Sequence, residues 1–317
     1  MDQPLVSTIT PCFRMKRYLK KFLEWLPEQD IFEKLEIVLD HNEPDEEEIK
    51  WVQDFQEKYP NRIKHIIVEK VDPIGVSMNR CIKEASGEFV TIWNVDDLRT
   101  SASISQQVDA LQKTPGAEIA FGDYKIVTSF GLTEGEIVEH DQFPETEFTR
   151  GMIFGPFIMF RKSLCEKAGY FDEALKSGAD FDLSVRLALH GKAVKTKGLL
   201  GYYLNEGLGA STRPNSLQPI ERTVIELRYG IYDKIEYQYL PKALNYDIRH
   251  IELDGQKLNV SDFVPDYENW IQKRETDWFD KGLQRSARQT SLQNSGAYQG
   301  LRTVKSYLRR LKEKTSQ

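Results

Sequence analysis

The feature of this sequence that most restricts its fold is an apolar segment that ends on two adjacent carboxylates. The segment runs from Phe89 to Asp97 and reads FVTIWNVDD, so Asp96 and Asp97 follow directly on the residues of a buried strand. In an open α/β sheet, ligands bind at the carboxyl ends of the strands. Two neighbouring carboxylates repel each other in a partly dry site unless a cation lies beside them. The segment therefore predicts a divalent-metal site at Asp96 and Asp97, with coordination positions left for substrate phosphates.

A simpler interpretation is that Asp96 and Asp97 only begin a loop, or cap the helix expected after Ser101. The neighbouring segments bear on this choice, because they predict further strands that end at the same edge. Leu5–Thr10 is a β-branched strand that we expect to stop at Pro11. Further strands are expected at Leu35–Leu39, which Asp40 follows, and at Ile63–Val68.

Helical patterns lie between these strands, and their alternation sets the fold class. Apolar residues recur at helical spacing from Met15 to Leu26, and the helix before the fourth strand ends at Gly87. Strands that alternate with helices predict an α/β fold with a doubly wound, mostly parallel sheet flanked by helices.

Two common nucleotide-binding motifs are absent from the sequence. No GxGxxG follows the first strand, and GxxxxGK[ST] does not occur. A dinucleotide-dependent dehydrogenase and a P-loop enzyme are therefore disfavoured. A nucleotide bound by this chain would be held by carboxylates and a metal rather than by a glycine-rich loop.

The composition predicts a cytoplasmic protein. The three cysteines are scattered and form no CxxC pair, which argues against a disulfide framework and a structural zinc site. No apolar run is long enough to span a bilayer, and the first residues lack the pattern of a signal peptide. The formal net charge of −6 disfavours a nucleic acid as partner.

The C-terminal tail differs from the acidic body, since basic residues dominate from Lys281 onwards. It ends in an amphipathic pattern in which Val304, Leu308 and Leu311 share one side. One interpretation is a basic helix that makes a peripheral contact with the anionic inner face of a membrane. The other is a solvated helix packed on the body of the protein or on a partner.

Five segments in a fixed order resemble a family-2 glycosyltransferase of the GT-A fold, and they lie before about residue 230. The segments are Val6–Phe13, Leu39–Asp45, Gly75–Arg80, Ser86–Asp97 and Ala179–Arg186. They are similar, in turn, to that family's opening strand, its first aspartate motif, its Gly-x-x-x-Arg-Asn segment, its Asp-x-Asp-Asp motif and its Glu-Asp-x-Asp-Leu-x-x-Arg segment. The agreement of all five in order is more specific than any single motif.

The sequence departs from the family pattern at four positions. Arg14 stands where asparagine is usual, Met78 replaces an arginine, Asn94 replaces the first aspartate of Asp-x-Asp-Asp, and Ala179 replaces a glutamate. Asn94 can still accept a hydrogen bond but carries no charge, so we expect a weaker metal site. No Gln-x-x-Arg-Trp follows, and the resemblance is therefore to non-processive members.

The resemblance also implies a role for individual residues. Asp40 would contact the nucleobase, and Asp180 would be the catalytic base. Asp96 and Asp97 would hold Mg²⁺ or Mn²⁺. The nucleotide-sugar would be bound by Pro11, Phe13, Asp40, Asn79, Asn94 and Asp96.

The function that the resemblance implies is that of an inverting, hexosyltransferase-like enzyme. It would move a sugar from a nucleotide-diphosphate sugar to a hydroxyl of a glycan or lipid-linked acceptor, in bacterial surface polysaccharide or glycoconjugate synthesis. Residues 1–235 would form the GT-A catalytic domain, and residues 236–317 a mainly helical extension that ends in the basic helix.

Two other functions remain open at this point. The first is a catalytically degenerate protein of the same fold that binds a nucleotide-sugar or a glycan without transfer, which the departures at Met78, Asn94 and Ala179 suggest. The second is a metal-dependent nucleotidyltransferase. That enzyme would normally have a glycine-rich and basic phosphate loop after the first strand, and residues 11–15 do not form one.

Three acids have alternative local explanations. An isolated Asp180 before an apolar helix can be a helix N-cap. Asp182 is expected to be a solvated acid of the first turn or the ion-pair partner of Arg186, four residues further on. Asp123 is either a sugar contact or an acid in a turn.

Overall fold

The structure of the chain is a computed structural model that describes residues 3–141, 154–207, 209, 214–274 and 276. The chain divides into two compact units. One is built on Met1–Gln218 with His250–Pro265, and the other on Pro219–Arg249 with Asp266–Gln317. Each unit is described by itself. The predicted division into residues 1–235 and 236–317 stays a prediction.

The first part of the chain alternates between strands and helices. The elements are β1 (Val6–Phe13), α1 (Lys16–Trp25), β2 (Leu35–Asn42), α2 (Glu46–Lys58), β3 (Ile63–Val68), α3 (Ile74–Glu84) and β4 (Phe89–Ile92). β1 lies between β2 and β4, β3 pairs with β2, and all of these pairings are parallel. The predicted α/β fold with a mostly parallel sheet is therefore confirmed.

The first strand differs from its prediction at the C-terminal end. β1 does not stop at Pro11 but continues to Phe13, paired with β2 up to Asn42. Its pairing with β4 ends earlier, at Ile9 and Ile92. A proline is tolerated where a strand has a neighbour on one side only, because the missing N–H would have had no partner there. The prediction that Pro11 ends the strand was wrong for this reason.

The next part of the chain completes the sheet. The elements are β5 (Leu98–Arg99), α4 (Ser103–Lys113), β6 (Ala117–Val127), β7 (Glu136–Val138), β8 (Met159–Arg161), α5 (Leu164–Ala168), α6 (Ala179–His190) and β9 (Lys192–Leu204). The order across the sheet is β3-β2-β1-β4-β8-β6-β9-β5, with β7 beside β6. β8 is antiparallel to both of its neighbours, and β6 is parallel to β9. Hence β1, β2, β4, β6 and β9 all end at one edge, which we call the carboxyl edge.

α1 shows how the apolar pattern fixes the layer of helices on the sheet. It buries Tyr18, Leu19, Phe22 and Leu23 and leaves its basic residues outward. The Phe22 ring meets the Trp93 ring edge to face, with 5.4 Å between the ring centroids. Full burial of a side chain of this size stabilises the fold by about 1.5–3 kcal/mol. The contact fixes α1 against the residues that lead from β4 to Asp96 and Asp97.

A short antiparallel hairpin belongs to the first unit. It consists of β10 (His250–Leu253) and β11 (Gln256–Asn259), and it follows α7 (Gln218–Arg228) and α8 (Leu240–Ala243) in the chain. Glu252 N donates to Asp172 Oδ1 at 2.8 Å, and Glu173 N donates to Glu252 O at 2.8 Å. The hairpin therefore holds the segment that leads into α6. The prediction of a mainly helical extension did not contain this hairpin.

The second unit contains α8 and most of α7. The Tyr267 hydroxyl donates to Arg228 O at 2.8 Å, so the segment after Pro265 is tied to the end of α7. The predicted basic helix from Leu301 lies outside the described residues. Within the part of the chain that the structure describes, no helix has the length and apolarity needed to cross a membrane.

Candidate active site

The carboxyl edge brings together acids from two strands. Asp40 lies in β2 and Asp97 follows β4, and their side chains are buried. The pKa of the Cys12 thiol near the end of β1 is raised by its burial and further by the negative charges of Glu48, Asp96 and Asp40. The charges of Asp40 and Asp96 therefore both reach Cys12, near the end of the central strand β1.

The residues after β4 form a tight loop whose hydrogen bonds present Asp97. Asp97 N donates to Asn94 O at 3.1 Å, and Trp93 Nε1 donates to Asp97 O at 3.0 Å. Leu204 N, at the end of β9, donates to Asp97 Oδ1 at 3.0 Å. Asn94 Nδ2 donates to Asp97 Oδ2 at 3.3 Å. Asn94, which replaces an acid of the family pattern, thus steadies the side chain of Asp97.

The loop holds its acids in an environment that disfavours their negative charge. Burial, and then the charge of Asp96, raise the pKa of Asp97 well above its usual value. Burial and the charge of Glu206 raise the pKa of Asp96. Adjacent buried carboxylates with raised pKa values are a place where a cation gains most from binding.

Arg99 is the cation that lies beneath this loop. Its guanidinium is fully buried and donates to Thr91 Oγ1 at 2.6 Å and to Ile92 O at 2.9 Å. Burial lowers the pKa of Arg99 to about 9, while the charge of Asp97 acts in the opposite direction. Arg99 therefore supports the loop from inside, through Thr91 and the carbonyl of Ile92.

The described residues contain no group of three or more His, Cys, Asp or Glu side chains arranged to hold a metal. Asp96 and Asp97 are a pair. A Mg²⁺ or Mn²⁺ ion held by one or two carboxylates completes its coordination with water and substrate phosphates, so a pair is enough for a metal that binds together with a donor.

Asp40 is held by a network that sequence reasoning did not foresee. Arg80 of α3 lies between two acids, with Arg80 Nη1 at 2.5 Å from Asp40 Oδ2 and Nη2 bonded to Asp72. Asn42 Nδ2 donates to Asp40 Oδ1 at 2.6 Å. The Asp40 carboxylate is therefore oriented and compensated by a positive charge. The feature of the sequence that could have indicated this ion pair is Arg80, the arginine two positions after Met78.

We expect Arg80→Ala to lower stability by about 1–3 kcal/mol, because it leaves Asp40 buried without its cation. The Arg80 side chain is 29% exposed, which keeps the loss below that of a fully buried pair. Urea unfolding measures the difference. Lys83→Ala is the control, because Lys83 lies on the same helix in an ion pair with Asp254 whose members are 45% and 66% exposed. Equal losses in the two variants would contradict the role given to Arg80.

Asn79, predicted to contact the nucleotide, is buried and bonded to protein. Asn79 Nδ2 donates to Phe171 O and to Glu173 Oε1, both at 2.9 Å, and Phe171 N donates to Asn79 Oδ1 at 2.8 Å. A Cβ placed on Gly75, one turn earlier, would lie 2.8 Å from Asp172 O. Asn79 therefore anchors the segment before α6 to α3. A direct contact with the donor stays a prediction.

Asp180 is the second residue of α6 and not its N-cap, a position that Gly178 occupies. Asp180 Oδ1 accepts from Phe181 N at 2.8 Å, and the side chain is half-buried. A Cβ on Gly191, which follows α6, would lie 3.3 Å from Glu118 and Ile119 near the start of β6. A helix of 12 residues is about 18 Å long. Since α6 ends near the start of β6 and is long enough to cross the sheet, we expect it to begin toward the carboxyl edge; a position of Asp180 beside Asp96 and Asp97 stays a prediction.

The next acid of α6 has a structural partner. Asp182 and Arg186 are fully buried, with 2.7 Å between Arg186 Nη2 and Asp182 Oδ2. Arg186 also donates to Tyr170 O at 2.6 Å and to Ala168 O. The predicted pairing of Asp182 with Arg186 is confirmed, and it fixes the start of α6 against the end of α5.

The remaining predicted residues lie at or near the carboxyl edge. Pro11 and Phe13 are the last half-buried residues of β1, and the Arg14 guanidinium lies 4.8 Å from the centre of the Phe13 ring. Asp123 lies within β6 rather than in a turn; its Oδ1 accepts from His140 N at 2.7 Å and is 2.9 Å from Lys195 Nζ. A contact of Pro11, Phe13 or Asp123 with a ligand stays a prediction.

Comparison with solved structures agrees with this fold. Residues 1–349 of S. aureus TarS in complex with UDP-GlcNAc superpose with a TM-score of 0.59 at 19% identity, over 76% of this chain and 72% of that one. A mannosyltransferase of Pyrobaculum calidifontis in complex with GDP-Man and Mn²⁺ gives a TM-score of 0.52 at 16% identity, over 96% and 81% of the two chains. The fold is that of a GT-A glycosyltransferase.

Sequence comparison gives the family. The model for glycosyl transferase family 2 matches residues 7–169, and the chain belongs to that family. A GalNAc(5)-diNAcBac-PP-undecaprenol beta-1,3-glucosyltransferase of Campylobacter jejuni is 29% identical over 177 residues, which are 54% of this chain and 56% of that protein. An uncharacterised glycosyltransferase of Rickettsia felis is 25% identical over 57% of this chain and 31% of its own length. The chain spans about half or less of the length of these two relatives.

Proposed function

We propose that this protein is an inverting, non-processive glycosyltransferase that uses a divalent metal and a nucleotide-diphosphate sugar. The observation that carries the proposal is the adjacent pair of the half-buried Asp96 and the buried Asp97, whose side chain is held at the carboxyl edge by the Leu204 amide and by Asn94. Family membership supports sugar transfer. The metal and the stereochemistry rest on the chemistry of the pair and on the placement of Asp180.

Asp96 and Asp97 would hold Mg²⁺ or Mn²⁺. When bound, the ion supplies Lewis-acid stabilisation of the charge that develops on the leaving diphosphate. The proposal is supported by the raised pKa values of both carboxyls, since a carboxylate that is destabilised in the free protein gains more from a nearby cation.

Asp40 would accept a hydrogen bond from the nucleobase. The ion pair with Arg80 and the hydrogen bond from Asn42 orient this carboxylate. Pro11 and Phe13 would pack beside the nucleoside at the end of β1, and Asn94 would lie near the ribose. Asn79 would serve the site through the segment that it anchors, with a direct donor contact still to be tested.

Asp180 would act on the acceptor side. A carboxylate there takes the proton from the attacking hydroxyl as the bond to the anomeric carbon forms, and an in-line attack inverts that carbon. The proposal is supported by the position of Asp180 in the first turn of α6, the helix that ends near the start of β6. The buried pair Asp182 and Arg186 would keep the start of α6 in place.

The acceptor would be a glycan or a lipid-linked sugar of bacterial surface polysaccharide or glycoconjugate synthesis, handled in the cytoplasm. A lipid-linked class is supported by the similarity to the Campylobacter GalNAc(5)-diNAcBac-PP-undecaprenol beta-1,3-glucosyltransferase. Contact with the inner membrane face would use the basic tail beyond Leu301. Flotation with anionic liposomes tests it: full-length protein should float and a truncation before Gly300 should not, whereas equal flotation contradicts the contact.

The alternative is a protein that binds a nucleotide-sugar without transfer. It is favoured by the uncharged Asn94 in the loop of residues 93–97, which we call the metal loop. A panel of UDP-, GDP-, CDP- and dTDP-sugars with and without Mn²⁺ separates the two functions. We expect one donor to raise the melting temperature only with Mn²⁺ and to be hydrolysed or transferred. Stabilisation without turnover under any metal would favour the binding protein. Membership of family 2 speaks against the nucleotidyltransferase.

A further inference from the structure

The leaving diphosphate of the proposed reaction needs positive charge besides the metal, and the family arginine is missing at Met78. Two arginines at the carboxyl edge already contact other groups of the protein. Arg80 bridges Asp40 and Asp72, and Arg99 is fully buried below the loop. Arg17, in the first turn of α1, has a side chain that is 53% exposed.

Arg17 is held beside the metal loop by a chain of contacts. Leu204 binds Asp97 through its amide, and Glu206 follows two residues later. Arg17 Nη2 lies 2.6 Å from Glu206 Oε2, and the Tyr18 hydroxyl donates to the same oxygen at 3.0 Å. The Arg17 guanidinium also lies 4.4 Å from the centre of the Tyr18 ring. Burial and the charge of Glu206 raise the pKa of Asp96, and the charge of Arg17 acts in the opposite direction. Arg17 is therefore close enough to Asp96 for its charge to act there.

The stability of the fold does not explain this arrangement. A cation in the first turn of a helix opposes the helix dipole, and α1 has no acid in that turn and no side-chain cap. An ion pair with a partner as exposed as Arg17 contributes little to stability. The neighbouring Lys16 forms ion pairs with Asp45 and Glu47 at the start of α2. Arg17 and Glu206 therefore keep a guanidinium near the loop that carries Asp96 and Asp97 at little gain to folding.

We propose that Arg17 binds the leaving diphosphate and that Glu206 holds the guanidinium until the donor arrives. The inference rests on the proposed function. Arg17 supplies a positive charge next to the loop that carries Asp96 and Asp97, and its planar fork suits two phosphate oxygens. Donor phosphates replace the Glu206 carboxylate on Arg17, so the ion pair is a competitor of the donor.

The test is calorimetric binding of UDP, GDP, UMP and GMP with Mn²⁺ to the full chain. Arg17→Ala should weaken the nucleoside diphosphate about tenfold, as expected for loss of a charge-assisted contact, and should leave the monophosphate within about threefold. Arg17→Lys should recover part of the loss. Glu206→Gln should tighten the diphosphate by about threefold, because the competitor is neutralised. Lys21→Ala is the matched control, since Lys21 is exposed on the same helix and pairs only with Glu24 among the described residues.

The outcomes separate this inference from the function on which it rests. If the wild-type protein binds neither UDP nor GDP, nor CDP or dTDP measured in the same way, the proposed function fails, and the role of Arg17 fails with it. If the wild type binds a diphosphate and Arg17→Ala behaves like Lys21→Ala, only the role of Arg17 is overturned. A loss in Arg14→Ala with none in Arg17→Ala, or weaker diphosphate binding in Glu206→Gln, would overturn it as well. Circular dichroism and the melting temperature establish that each variant is folded.

Discussion

Asp180→Asn is expected to reduce sugar transfer by about a hundred- to ten-thousand-fold while donor binding stays intact. The substitution keeps the shape of the side chain and its bond from Phe181 N, but it removes the group that would accept the proton of the attacking hydroxyl. Steady-state kinetics with the donor found in the panel, together with calorimetry of the same donor, measure the two effects separately.

Asp182→Asn is the matched control for this variant. Asp182 lies on the same helix and is fully buried against Arg186, so its loss should appear as a lower free energy of unfolding, by about 3–5 kcal/mol. Its transfer rate per folded molecule should change much less than that of Asp180→Asn. If Asp180→Asn retains full transfer, the catalytic base lies elsewhere and the inverting mechanism loses its support.

Asp97→Asn should abolish the stabilisation that Mn²⁺ and the donor give together and reduce turnover by about a hundred- to thousandfold. The free protein should remain as stable as the wild type or become more stable, because burial and Asp96 oppose a charge at this position. Thermal denaturation with and without Mn²⁺ and donor measures both effects. A variant that keeps its metal-dependent shift would show that the ion is bound without Asp97.

Asn94→Asp provides the opposite change in the same loop. It restores the acid of the family pattern and adds a negative charge about 3 Å from Asp97, where Asn94 now donates to Oδ2 at 3.3 Å. We expect lower stability of the metal-free protein and tighter Mn²⁺ binding. The two variants together separate the contribution of charge to metal binding from the integrity of the loop.

The sequence predicted the sheet and its acidic edge because both follow from local pattern. The short apolar runs of β2 and β4 are each followed by an acid, and parallel strands end at one edge, so the sequence alone predicts that Asp40 and Asp97 lie at that edge. The pairing of Asp182 with Arg186 was equally local, because four residues separate them on one helix.

The partners of these residues could not be predicted, because they are distant in the chain. The Leu204 amide is 107 positions from Asp97, and Glu206 is 189 positions from Arg17. No spacing rule connects such residues; the antiparallel pairing of β5 with β9, in which Leu98 lies opposite Tyr202, brings the end of β9 to the loop that carries Asp97. The continuation of β1 through Pro11 was missed for a related reason, since it depends on where the neighbouring strand β4 ends.

Contacts made by helix α3 limit which substitutions this protein can accept. Through Arg80 the helix orients the residue assigned to the nucleobase, and through Asn79 it fixes the segment that leads to the residue assigned to the acceptor. In the proposed mechanism, recognition of the nucleobase and transfer of the acceptor proton would therefore both depend on the position of α3. Variants selected for a new donor should accumulate in the loops around the site and spare the inner side of this helix, because a shift there would misalign both halves of the reaction at once.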